Sequence, residues 1–324
     1  MTETPSHAVR VFTLGETMLM FAPPSPELIE HCNQFTAYVG GSEANVAIGL
    51  ERLGVHAGWI GKLPRNALGR KVVNGIRAYG VDTSSVVWAD EGRVGTFFVE
   101  WGANPRPTKT IYDREHSAAT TLVADDLDFS SIAQAAWLHL TGITPALSTT
   151  CCESTLDIVR RARDLGVRVS FDLNYRSLLW SPEAARAAWH AILFHVNLII
   201  ASETDAWLLL GARGSRETVV RQIFDIYHPD AVALTCGGDG SVAYDGDRFY
   251  QADTYTLRVV NRLGAGDAFD AGLLYGFLNS DVQMGLEYGN AMAALKMTIP
   301  QNMPLIERED VERLIQGKHE HLIR

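Results

Sequence analysis

Leu263-Gly264-Ala265-Gly266-Asp267-Ala268-Phe269-Asp270-Ala271-Gly272 sets three small residues before an acid and runs on into Leu273, Leu274, Phe277 and Leu278 with almost no polar face. A helix that is apolar all round belongs in a core. Gly264 and Gly266 let the backbone come close to a ligand. Free N–H groups at the start of a buried helix form an anion site, and Asp267 lies at that same start, where a carboxylate is itself favoured. Amide donors beside a carboxylate suit phosphoryl transfer to a hydroxyl. In that reading Gly264, Ala265 and Gly266 hold the moving charge, and Asp267 takes the proton. A helix cap in a tight turn accounts for the same residues, so the surrounding pattern has to separate the two.

That pattern alternates. Val9 to Leu14 reads as a buried strand ending at Gly15-Glu16, and Gln34 to Val39 as an extended piece stopping at Gly40-Gly41. Ser42 then caps a helix to Leu53, with Ala44, Ala47, Leu50 and Leu53 as its apolar face. A strand at Val55 to Ile60 and a helix at Ala67 to Tyr79 follow. Further strands are expected at Ala136 to Leu140, Val167 to Asp172, Val196 to Ala201 and Ala231 to Thr235. Helices fall at Thr149 to Leu165, Pro182 to Phe194 (capped by Ser181), after the cap Ser202, and at Met284 to Met297. Val242 to Tyr244 pairs with Arg248 to Tyr250. Repeated βα units imply an α/β fold, a mostly parallel sheet with helices on both faces. In such sheets the ligand sits beyond the carboxyl ends of the strands. The loops at Gly40-Gly41, Asn174 to Arg176, Ser202 to Asp205 and Cys236 to Gly240 are therefore expected to converge.

Gly95 to Trp101 and Lys109 to Arg114 break the alternation: two β-prone runs joined by the turn Gly102 to Pro107, with no helix between them. They predict an antiparallel hairpin and a small β lid, drawn from about residues 16–39 and 92–116 of a single domain spanning 1–324. A lone ribbon is marginal in water. Phe97, Val99 and Trp101 are therefore expected to pack on a second subunit, which predicts a homodimer or higher homo-oligomer.

With 324 residues, 47% of them hydrophobic, the chain can bury a large core, and a net charge of −10 argues against nucleic acid as a partner. Cys32, Cys151, Cys152 and Cys236 show no metal-site spacing, which fits a reduced, cytoplasmic setting. The longest apolar run, Ala191 to Ala201, is interrupted by His195 and Asn197 and is too short to span a bilayer. His139 reads as a satisfied core histidine, His319 and His321 as solvated, and Arg160, Arg161 and Arg163 as a wet helix face. No Gly-x-Gly-x-x-Gly follows the first strand, which argues against a dinucleotide-binding dehydrogenase.

Two stretches carry a resemblance. Gly40-Gly41-Ser42-Glu43-Ala44-Asn45-Val46-Ala47, running to Gly54, and Val260 to Gly272 are similar to the two signatures of the ribokinase-like (PfkB) carbohydrate kinases. Within that family the chain looks most like 2-keto-3-deoxygluconate kinases. Leu138 to Leu147, Phe171 to Arg176 with Leu179-Trp180, and Ala293 to Lys296 before Ile299-Pro300 carry this likeness. The resemblance implies ATP- and Mg²⁺-dependent phosphorylation of the terminal (C6) hydroxyl of a sugar acid. Asp267 would be the base and the Gly264 to Gly266 amides the anion hole. Gly40, Gly41, Asn45 and Asn174 would hold the sugar, Tyr112 and Arg114 would reach down from the lid, and Arg176 would meet the carboxylate. Ser202, Thr235, Gly237, Gly240 and Asn290 would hold the nucleotide, with Asp205 on a metal-bound water. An arginine's planar fork suits a keto-acid carboxylate. Three departures stand out. Asn261 replaces an Asp beside the loop that holds a monovalent cation or magnesium in the family. Phe98 stands where the nearest relatives often place a substrate-touching Tyr. Gln301-Asn302 replaces Gly-Asp. A kinase of a neutral sugar and a non-catalytic sugar or nucleotide sensor are the competing readings.

Overall fold

The computed structural model describes residues 9–102, 105–211 and 214–317; His319 and His321 lie outside these, as do Ala103 and Asn104 of the expected turn. The strands are β1 (Val11–Leu14), β2 (Met18–Ala22), β3 (Thr36–Gly40), β4 (Ala57–Ile60), β5 (Lys62–Pro64), β6 (Val87–Ala89), β7 (Thr96–Glu100), β8 (Lys109–Asp113), β9 (Trp137–Thr141), β10 (Arg168–Asp172), β11 (Leu198–Ser202), β12 (Ala231–Thr235), β13 (Ser241–Tyr244) and β14 (Phe249–Ala252). The helices are α1 (Ser42–Arg52), α2 (Ala67–Arg77), α3 (Phe129–Ile132), α4 (Ile143–Ala146), α5 (Thr149–Asp164), α6 (Pro182–Leu193), α7 (Glu203–Leu210), α8 (Arg216–Tyr227), α9 (Ala265–Leu278), α10 (Val282–Lys296) and α11 (Arg308–Ile315).

Eight strands form the main sheet in the order β14-β13-β12-β11-β10-β9-β1-β4. From β4 to β12 every pairing is parallel, and β13 and β14 add an antiparallel edge. The central strands are apolar on both sides because helices cover both faces. One core joins Val11, Trp59 and Trp137 to α1, α2, α9 and α10; the other joins Phe12, Leu138 and Phe171 to α5, α6, α7 and α8. The ribokinase-like α/β architecture expected from the sequence is the one observed. Helix α9 is buried along nearly its whole length, as its unbroken apolar run requires.

The short strands β2, β5 and β6 and the helices α3, α4, α8 and α11 go beyond the elements read from the sequence. Strand β2 matters for function. It pairs antiparallel with β3 and parallel with β7, and β7 pairs antiparallel with β8, so a four-stranded sheet β3-β2-β7-β8 stands over the carboxyl edge of the main sheet. The hairpin is therefore not a lone ribbon. Phe97 and Val99 lie buried against Met18, Met20 and Ala22 of their own chain, with Trp101 and Tyr112 packed alongside. This corrects the expectation that they face a second subunit. Opposite residues share a face, so Phe21, Phe98 and Ile111 lie on the outer side; Phe98 stacks on Phe21 with ring centroids 5.4 Å apart. The Phe98 hydroxyl deficit consequently has no bearing on the cavity beneath the sheet.

Candidate active site

Helix α9 starts where the chain reverses at Gly264. That residue has φ 84°, and a Cβ there would fall 1.9 Å from the Asn302 carbonyl oxygen. The turn spends one expected donor: the Ala265 amide bonds to the Arg262 carbonyl at 3.1 Å. Ala265 thus braces the turn rather than facing an anion. The amides of Gly264, Gly266 and Asp267 have no acceptor among the described hydrogen bonds.

Asp267 is the third residue of α9 and is buried. Ser42 donates its hydroxyl to Oδ1 at 2.6 Å, and Asn45 donates Nδ2 to Oδ2 at 2.7 Å. Both donors come from α1, and the expected role of Ser42 is corrected here. Gly41 is the N-cap, extended and so close to the residues leading into β2 that a Cβ would lie 2.5 Å from the Thr17 hydroxyl. Ser42 is therefore the first helical residue, and its hydroxyl is directed at Asp267 instead of at its own helix. Burial raises the Asp267 pKa, while the hydrogen bonds from Ser42 and Asn45 pull it back.

Acids surround this carboxylate. Burial lifts Glu43 to about 7 against the hydrogen bond from Thr141, lifts Asp172 to about 7 with the charge of Asp205 adding to it, and holds Asp270 well above the usual carboxylate range. His139 is only half satisfied. Its Nδ1 lies 3.0 Å from the Ser170 hydroxyl, whereas Nε2 has no hydrogen-bond partner among the described residues and stands 3.8 Å from Asp270. Burial takes its pKa down to about 3, so it is neutral. Burial also lowers Lys296 to about 8, which leaves it protonated at neutral pH.

Glu43 gives a pH test. Its folded pKa lies above its unfolded value, so the folded state holds the extra proton between 4.5 and about 7. Stability from this group is lost as pH rises through that window. Glu43→Gln mimics the protonated acid, so its stability relative to the parent should improve by about 3 kcal/mol between pH 4 and pH 8. Thermal melts at both pH values check this, and a difference that does not change with pH counts against it.

A cavity of about 470 Å³ opens between the carboxyl edge and the four-stranded sheet. Gly40, Gly41, Asn45, Tyr112, Arg114, Asn174, Arg176, Ser202, Asp205, Thr235, Gly264, Gly266 and Asp267 line it, so three of the four expected loops converge here with the Gly264 turn, and the fourth reaches the cavity only through Thr235 at the end of β12. Asn174 has φ 41°; its amide N–H bonds back to Asp172 at 3.2 Å, and its side chain donates to the Ser42 hydroxyl at 3.2 Å. Ser202 accepts the Asp205 amide at 3.0 Å, so its cap role is present as well. Gly237 and Gly240 do not line this cavity, and neither does Asn290. Asn290 is buried, and its amide is spent on the carbonyls of Ala252 and Asp253, both at 3.0 Å, tying α10 to the end of β14. That nitrogen is therefore already committed within the protein.

The two arginines differ. Arg114 is buried, with Nε 2.8 Å from Glu16 and a second nitrogen on the same carboxylate oxygen. Glu16 in turn accepts from the Ser117 hydroxyl at 2.5 Å. The charge of Arg114 is therefore already matched, which the sequence did not show. Arg176 is exposed, makes no salt bridge among the described residues and donates only to the Tyr175 carbonyl at 3.1 Å. The structural pair with Asp172 does not form. Sequence reasoning also missed Glu16, Asp172, Asp270 and Asn302 as lining residues. Asn302 donates to the Val39 carbonyl at 3.1 Å and joins Asn45, so the Gln301-Asn302 departure reaches the site. Among the described residues no group of three His, Cys, Asp or Glu could hold a metal ion directly. Ser202 and Asp205 fit a hard cation held mainly by water and phosphate oxygens.

The chain is similar to several known kinases. A 2-dehydro-3-deoxygalactonokinase of Haloferax volcanii is 37% identical over 94% of this chain and 96% of its own length. A 5-dehydro-2-deoxygluconokinase of Shouchella clausii is 31% identical over 90% of each. The crystal structure of a 2-dehydro-3-deoxygluconokinase from Thermotoga maritima superposes with a TM-score of 0.91 at 33% identity, covering 96% of this chain and 99% of that one. The model of the pfkB family of carbohydrate kinases matches residues 9–304, and with a buried acid facing unpaired amides under a four-stranded sheet, this chain belongs to that family.

Proposed function

We propose that the protein is an ATP-dependent kinase of 2-keto-3-deoxy sugar acids, transferring the γ-phosphoryl group to the terminal (C6) hydroxyl of 2-keto-3-deoxygluconate. The observation that carries this reading is the Asp267 carboxylate, fixed by Ser42 and Asn45 beside the free amides of Gly264 and Gly266, in a cavity that Arg176 and Arg262 also line, neither of them in a salt bridge among the described residues. The attacking hydroxyl gives its proton to Asp267 as its oxygen bonds to phosphorus and the bond to the ADP oxygen breaks. The amides stabilise the charge gathering on the phosphoryl oxygens. Thr235 and the loop through Gly237 and Gly240 hold the nucleotide. Gly40, Gly41, Asn45 and Asn174 position the sugar. Tyr112, from the overlying sheet, closes the cavity against water. A magnesium ion near Ser202 and Asp205 would supply charge neutralisation to the phosphates.

An observation keeps a neutral sugar as the second reading: the charge of Arg114, the arginine expected to reach down from the lid, is already matched by Glu16. An ATP-consumption screen decides between them. 2-Keto-3-deoxygluconate or its C4 epimer should give kcat/KM at least about 100-fold above fructose or ribose, the scale of one charge-assisted bidentate contact. Preference for a neutral hexose refutes the acid reading. Sugar binding without turnover points to a sensor.

A further inference from the structure

Lys296 is fully buried, yet it has no carboxylate within ion-pair distance among the described residues. An unpaired buried charge is costly and is retained where it serves something else. Its ammonium donates to the Asn261 main-chain carbonyl at 3.1 Å, at the start of the turn that leads to Gly264. The rest of Asn261 is equally committed. Its Nδ2 donates to the Pro300 carbonyl at 2.7 Å, its Oδ1 accepts the Leu263 amide at 3.0 Å, and its own amide bonds to Met297 O at 3.2 Å. Val260 also donates to Met297 O, at 2.8 Å. The carboxyl end of α10, which carries the negative end of the helix dipole, is thus locked to the anion-binding turn with Lys296 as the cation of the junction.

A monovalent ion, as the family resemblance implies, would need those same oxygens. The residues present do not fit one: the Asn261 carbonyl already takes the ammonium, its side-chain oxygen takes Leu263 N–H, and its side-chain nitrogen is a donor.

We propose that the Lys296 ammonium is a built-in replacement for a bound monovalent cation, a positioning residue that holds the Asn261–Gly264 turn and sets positive charge behind its amides. The proposal rests on the kinase reading for its catalytic consequence. The fixed charge stands behind the amides that face the negative charge gathering on the transferred group, so its effect falls on kcat rather than on sugar affinity.

Two variants test this. Lys296→Met keeps the length of the stem and removes the charge. It should stay folded, lose about tenfold or more in kcat and change sugar KM less than about threefold. Lys296→Ala vacates the space. About 100 mM potassium or methylammonium, against matched choline chloride, should raise its kcat at least about fivefold and lift its Tm, while leaving the parent protein unchanged. A folded Lys296→Met with kcat within about twofold of the parent overturns the proposal. A parent enzyme that requires potassium overturns it as well. So does a Lys296→Ala protein that no small cation activates or stabilises, including one that stays unfolded in every salt, since the lysine is then structural. Should the parent phosphorylate no sugar at all, the kinase reading fails by itself, and the melting shifts of Lys296→Ala still decide the cation question.

Discussion

Asp267→Asn is expected to lower kcat by about 10³- to 10⁴-fold, the upper range for removal of a general base, while ATP affinity stays within about threefold. The substitution is nearly isosteric, and its surroundings can absorb it. The Ser42 hydroxyl, 2.6 Å away, can reverse and accept from the new amide, and Asn45 keeps an oxygen to donate to. The free amides of the turn are untouched, so the phosphate still has its donors. What disappears is the buried carboxylate that stands beside those amides at the start of α9 and is held there by two side-chain donors. In the parent protein, burial raises the Asp267 pKa above 3.8. In the proposed role as base, Asp267 is therefore active above its raised value and lost as pH falls through it. The acid limb of kcat/KM should lie above the ordinary aspartate range and vanish in the variant. Coupled ADP release and calorimetric ATP titration measure the two halves. Near-normal turnover in the variant sinks the assignment of the base.

The second large effect is specificity. Arg176→Ala should cost about 10²- to 10³-fold in kcat/KM for the keto acid, the scale of a lost charge-assisted pair, and less than about threefold for a neutral hexose. Arg176→Lys should recover only part of the loss, because a point charge replaces a planar fork. Arg176 is suited to the test because its guanidinium holds no structural salt bridge among the described residues. Arg114 is not: its removal would strand Glu16, whose side chain is 1% exposed, so lost turnover there would mix specificity with damage to the fold. Equal losses for acid and neutral substrates with Arg176→Ala would favour a neutral sugar.

Much of this was legible in the chain itself. Alternating apolar runs and glycine stops located the sheet, since a strand buried on both faces and a helix closed by glycine are local patterns. Loops that follow parallel strands must meet at one edge, so Gly41, Asn174, Arg176, Ser202 and Thr235 can be grouped from the chain alone. Boundaries moved by a few residues where a cap depended on packing: α9 opens at Ala265 because only a left-handed Gly264 clears Asn302.

Other features had no local signal. Met18–Ala22 is a five-residue apolar run that periodicity assigns to neither strand nor helix, and it became a strand because β3 and β7 flank it. Asn290 falls at the right distance along α10 for a ligand, but the helix turns its amide to Ala252 and Asp253.

The linear order of residues was enough to establish the α/β class, the ligand-bearing edge, and an acid beside small residues at the start of a buried helix. Each follows from neighbours only a few positions apart. The partners of each charge were decided by tertiary contact alone: Glu16 meets Arg114 across 98 positions, Ser42 meets Asp267 across 225, and Lys296 reaches Asn261 across 35. Whether an ionisable side chain serves a substrate or another side chain depends on which of them lies nearest once water is excluded. That distance exists only in the folded molecule.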